Sequence, residues 1–168
     1  MAHDPKTQDE KLRKLDEMVR DIGVAMLTTT DTEGRLHSRP MHLQGGVEEG
    51  RLYFFAYRRS PKVEELERDR QVNCAFAEPD DSRYVSIAGT ARIRQERELL
   101  ERMWNTAQKA WFPQGLETPG ICLIEVEVED AQYWDAPNQA MVHLWGMLRA
   151  AVTGDGAGDP GDHEKLRL

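Results

Sequence analysis

From Arg51 to Arg68 the chain reads RLYFFAYRRSPKVEELER. RLYFFA is a short apolar and aromatic run of the kind that forms a strand. Ser60 and Pro61 then supply the residue types preferred at the N-cap and first position of a helix, PKVEELERD. A strand is thus handed straight to a short helix, and the hand-over gathers Arg58, Arg59 and Lys62 in a chain of formal net charge -8. A helix start offers unpaired N–H groups and partial positive charge, so this local reversal of charge points to a bound anion, a phosphate group. A charge-assisted hydrogen bond nets roughly 1.5–3 kcal/mol against about 0.3–1 kcal/mol for the helix dipole, so side chains would set affinity and backbone would set geometry. The same residues also fit an ordinary capped, solvated loop.

Upstream, VAMLTTT, a turn at DTEG, LHSRPMHL and a Gly-rich turn at QGGVEEG lead into RLYFFA, which reads as a three-stranded antiparallel meander. Alternation puts His37, Arg39, Met41 and Leu43 on one face of the second strand, and the meander would set Arg39 beside the basic cluster as a second cation. Pro40 cannot donate to a ladder, so an edge or a bulge is expected there. Phe54, Phe55 and Tyr57 would add flat apolar surface next to the anion. Before the meander, Leu12, Leu15, Met18, Val19 and Ile22 have helical spacing, Thr7 and Glu10 have capping-box spacing, and Gly23 is the stop.

Downstream, QVNCAFA and RYVSIAGTARIRQ read as strands, with Gly89 marking a bulge or a close backbone approach. Leu99, Leu100, Met103, Trp104, Ala107 and Trp111 predict one helix over ERELLERMWNTAQKAWF, and ICLIEVEVEDAQYW a last strand. Pro137 to Thr153 is expected to be a final helix. The predicted fold is α+β: a six-stranded antiparallel split β-barrel of Greek-key type with flanking helices, one domain over residues 1–153 and a flexible tail over 154–168.

A length of 168 residues with 39% hydrophobic content suits a single core. The acidic balance argues against a nucleic-acid partner or an electrostatic membrane anchor, and no apolar run approaches the roughly 20 residues of a membrane span. A cytoplasmic location is expected. Cys74 and Cys122 sit inside apolar runs as core thiols, and the five histidines show no metal-ligand spacing, so no metal site is expected. No nucleophile elbow, Rossmann or P-loop signature occurs, and no catalytic residue is assigned.

MLTTTDTEGRLHSRPM, LYFFAYRRSPKVEEL, VNCAFAEPDDSRYVSIAGTARI, KAWFPQG and YWD, in that order, resemble the pyridoxamine 5'-phosphate oxidase-like FMN-binding split barrels, in particular their general stress protein branch. The resemblance covers roughly Leu12 to Pro137. It implies a homodimer with FMN at the subunit interface. Arg39, Lys62 and Ser60 would hold the phosphate, Pro40 and Met41 would line the ring, Phe54, Phe55 and Ala56 would form the adjacent strand, Val63 would follow at the helix start, and Trp111 would lie near the isoalloxazine. Pro61 stands where the oxidases themselves carry an arginine before the lysine, and their C-terminal substrate segment has no counterpart, which argues against oxidation of pyridoxamine phosphate. The implied function is an FMN-dependent oxidoreductase of unknown substrate or, alternatively, a flavin-storing or redox-sensing stress protein. Deazaflavin or pyridoxal phosphate would be related planar ligands for the same cleft.

Overall fold

A computed structural model describes the backbone of residues 5–135 and 141–143 and the side chains of residues 9–135. Helix α1 (Pro5–Ile22) buries Leu15, Met18 and Val19 and stops at Gly23, whose φ of 71° suits a residue without Cβ. It starts ahead of Thr7, so Thr7 and Glu10 lie within the helix and form no capping box. The strands are β1 (Val24–Thr30), β2 (Leu36–His42), β3 (Arg51–Tyr57), β4 (Gln71–Glu78), β5 (Arg83–Arg94) and β6 (Ile121–Trp134). Helix α2 (Pro61–Arg68) follows β3 directly, as the opening stretch predicts.

The six antiparallel strands curl into an α+β split barrel in the order β2-β1-β4-β5-β6-β3. The expected meander is corrected here. β3 does not pair along β2; it pairs along its whole length with β6, Arg51 opposite Glu127 through Tyr57 opposite Ile121. Alternation fixes which face a strand buries but says nothing of which strand lies alongside, and β6 offers a long apolar partner for RLYFFA. β2 and β3 are therefore the two edges of the curled sheet. They meet at one bridge, Leu43 with Phe54, beside the bond from Gln44 N–H to Tyr53 carbonyl at 2.9 Å. Pro40 lies on an edge strand, where its missing N–H costs nothing.

Gly89 marks a bulge where β5 shifts register against β6, and a Cβ there would lie 2.2 Å from the Glu127 carbonyl oxygen. Leu27, Leu52, Phe54, Phe76, Ile87 and Ile124 fill the barrel. A second cluster of Tyr53, Phe55, Leu100, Met103, Phe112 and Leu123 lies on the other face of β3 and β6. Cys74 and Cys122 are buried free thiols, pushed up to about 12 and about 11 by burial.

Two helix expectations fail. The run from Glu96 to Phe112 is broken: α3 (Arg97–Met103) ends at Trp104, which has extended backbone, and a 3-10 turn covers Thr106–Ala110. Asn105 causes the restart, because its side chain accepts the Ala107 N–H at 3.0 Å. Met141–His143 is a short strand, β7, paired with β6 rather than part of a helix. The remainder of the expected final helix and the tail from residue 154 lie outside the described residues. No helix among the described residues is long and apolar enough to cross a membrane.

Candidate functional site

The seam between the two edge strands opens into a slot of ≈ 180 Å³. Pro40, Met41 and His42 of β2 form one wall, Phe55, Ala56 and Tyr57 of β3 the other, and Gln108, Trp111 and Phe112 close one side. Lys62 lies at the start of α2 and also faces this slot. The aromatic packing fixes the walls: Tyr57 and Phe112 ring centroids lie 4.8 Å apart, and Phe55 meets the edge of Trp104 at 5.4 Å. Trp111 is the outermost piece, 58% exposed, with its ring 5.9 Å from His42 and its carbonyl accepting the Tyr57 hydroxyl at 2.8 Å.

The helix start carries two polar groups that find no hydrogen-bond partner among the described residues. Ser60 is the N-cap of α2 by its backbone angles, but its hydroxyl makes no capping bond; Oγ is buried without a partner. Lys62 is half-buried and has no hydrogen bond or ion pair among the described residues. Burial, and next the neighbouring Arg39 guanidinium, hold its ammonium below the usual lysine value. Pro61 has no N–H and the Val63 and Glu64 amides donate to the Ser60 carbonyl, so a buried hydroxyl, a partly desolvated cation and the Lys62 N–H are what the helix start offers, and they fit a phosphate ester.

Arg39 behaves differently from the expectation drawn from the meander. Its Nη2 donates to both oxygens of Glu65 at 3.0 and 2.8 Å, and its Nη1 donates to Thr29 Oγ1. Thr29 in turn donates to Glu65 Oε2 at 2.5 Å. Burial alone would raise the Glu65 carboxyl, but the Thr29 and Arg39 hydrogen bonds outweigh it and hold the group below its ordinary value. Arg39 thus lies near Lys62 with its charge already countered, leaving Nε without a hydrogen bond among the described residues. The basic cluster also divides: Arg58 pairs with Glu67, Arg59 is exposed, and only Lys62 of the three lines the slot.

Of the residues singled out in the sequence, Pro40, Met41, Phe55, Ala56, Lys62 and Trp111 line the slot, and Ser60 sits two residues before Lys62 at the same helix start. Phe54 and Val63 are fully buried in the barrel core and support the walls from behind. His42, Gln108 and Phe112 belong to the slot but were not singled out as ligands; His42 reads as a strand-surface histidine, and the broken third helix hid the turn that carries the other two. Glu65 was missed because nothing in PKVEELER distinguishes it from Glu64 and Glu67.

The sequence profile described as "Pyridoxamine 5'-phosphate oxidase like" matches residues 10–157. The chain belongs to this family. General stress protein 26 of Bacillus subtilis is 29% identical over 141 residues, covering 82% of this chain and 96% of that protein. Protein bli-3 of Neurospora crassa is 28% identical over 172 residues, covering 95% and 79%. Among solved structures, a Clostridium acetobutylicum protein related to general stress protein 26 superposes with TM-score 0.68 at 18% identity, covering 84% of this chain and 95% of that one. The general stress FMN/FAD binding protein of Xanthomonas citri gives TM-score 0.62 at 24% identity, covering 77% and 94%. At those identities the two structures speak for the fold.

Proposed function

We propose that the chain is an FMN-binding protein of the general stress type, with the phosphate at the start of α2 and the ring in the seam between β2 and β3. The observation that carries this reading is a pair of groups without a hydrogen-bond partner among the described residues: Lys62, which lines the aromatic-walled slot, and Ser60 Oγ, two residues earlier at the same helix start. Lys62 supplies the charge and its backbone N–H and Ser60 a hydroxyl donor, while Arg39, clamped by Glu65, offers Nε. Pro40, Met41, Phe55, Ala56 and Trp111 flank the ring; Phe54 and Val63 fix the strand and helix that carry them.

The slot volume of ≈ 180 Å³ is below the roughly 300–1,000 Å³ of a complete small-molecule site. A second wall is needed. We assign it to another copy of the chain, giving a homodimer with one slot completed at each end of the interface. Bound FMN would supply hydride or single-electron transfer, and the chain would position the ring and exclude water from it. On this basis an oxidoreductase acting on an unidentified substrate is the leading reading. A flavin store or redox sensor would use the same slot. Reduction by NADH or NADPH with reoxidation by a defined acceptor separates the two.

The test of the site is a fluorescence titration of FMN and riboflavin against the wild-type chain and Lys62→Ala. FMN affinity should fall about 10- to 100-fold, the value of one charge-assisted contact, while riboflavin affinity stays unchanged. Equal losses for the two ligands would remove the phosphate from the start of α2.

A further inference from the structure

A larger cavity than the slot lies elsewhere on the barrel. It measures ≈ 750 Å³, on the other side of α2, and is lined by Arg58, Glu67, Arg70, Arg92 and Arg94 over a floor that includes Leu66 and Ile93. We propose that this cavity is a second anion site, for a phosphate-rich, non-aromatic polyanion of the pyrophosphate or short polyphosphate class. It is independent of the flavin reading.

Four guanidiniums from three places in the chain converge there: Arg58 from the turn after β3, Arg70 from the link between α2 and β4, Arg92 and Arg94 from β5. One carboxylate, Glu67, shares the lining and is taken by Arg58. Arg94 is held from behind by Glu96 at 2.9 Å and Glu125 at 2.8 Å. Arg92 has only a loose pairing with Glu127 at 3.8 Å, and Arg70 has no ion pair among the described residues. The Arg70 carbonyl accepts the Ala91 N–H at 2.8 Å, which fixes its backbone against β5, so that Arg70 and Arg92 line the same cavity.

Guanidinium is planar and forked, and it matches phosphate oxygens two at a time, so arginine rather than lysine at all four positions favours phosphate. The volume exceeds what one phosphate fills, which favours linked phosphates. No aromatic residue lines the cavity, so a base or flavin ring would find no stacking surface, unlike in the slot.

Calorimetric titration of the full chain with inorganic pyrophosphate, with orthophosphate as comparison, tests this. Saturable binding at one site per chain is expected, tighter than for orthophosphate and weaker at high salt. Arg70→Ala with Arg92→Ala should lower affinity at least tenfold, whereas Arg70→Lys with Arg92→Lys should keep part of it. Both pairs change exposed side chains, and thermal unfolding confirms that the fold persists. Lys62→Ala, or prior saturation with FMN, should leave pyrophosphate binding unchanged. Absence of saturable binding, or its loss on Lys62→Ala or in the presence of FMN, would overturn the proposal, the latter by placing the anion in the seam.

Discussion

Glu65 and Lys62 stand one turn apart on α2, yet the first ends in a closed network and the second makes no side-chain bond among the described residues. Around Glu65 both carboxylate oxygens are taken: Arg39 grips them through Nη2, and Thr29, fully buried, joins the two. Around Lys62 a partly desolvated ammonium and a buried serine hydroxyl find no partner among the described residues. The two regions have similar composition and opposite bookkeeping. A satisfied polar cluster holds a fold together, whereas an unsatisfied one of the same type marks where an outside group belongs.

The strongest way to break this contrast is Glu65→Ala. It would leave the Arg39 guanidinium, 26% exposed, without its carboxylate, and should cost about 2–3 kcal/mol, below the roughly 3–5 kcal/mol of a fully buried pair. Thermal unfolding should show a Tm lower by roughly 5–10 °C; an unchanged Tm would mean that the network is ornamental. The same pair makes stability depend on pH. The folded pKa of Glu65 lies below the reference value of 4.5, so its contribution is complete above that pH and is lost as pH falls through the folded value. Acid unfolding curves of Glu65→Gln should therefore be flatter on the acid limb than those of the wild type.

Ser60→Ala sharpens the other half. An N-cap serine replaced by alanine ordinarily costs about 1 kcal/mol, but this hydroxyl caps nothing. The ligand-free protein should keep its stability in urea unfolding while FMN affinity falls about 3- to 10-fold; a full capping loss would show that Oγ serves the helix after all. The smallest effect should come from Lys62→Met. Removing a half-buried unpaired charge should leave stability unchanged or raise it by less than about 1 kcal/mol without ligand, measured by the same urea curves, with FMN binding weakened.

Most elements were legible because their signals are local. The apolar run RLYFFA, the Ser60-Pro61 start of α2 and the Gly89 bulge follow from residue types and their immediate neighbours. Partnership between strands was not legible, since β3 finds β6 some seventy positions later and alternation looks the same for either neighbour. The break after Met103 escaped for a related reason: apolar spacing persists through Trp104 and Trp111, and the interruption is one side-chain bond from Asn105. At the site, six residues that the resemblance names line the slot, but composition could not say that Arg39 is bound to Glu65 while Lys62 finds no partner among the described residues. That distinction depends on which carboxylate of α2 turns inward.

The barrel's incomplete closure has a consequence for how the protein can diverge. Because the ladder between β2 and β3 stops at Leu43 and Phe54, the rims beyond it present peptide groups to whatever enters. Recognition written in the main chain survives replacement of the residues that display it. Descendants of such a chain can change most of their side chains and still offer a guest the same row of amides and carbonyls.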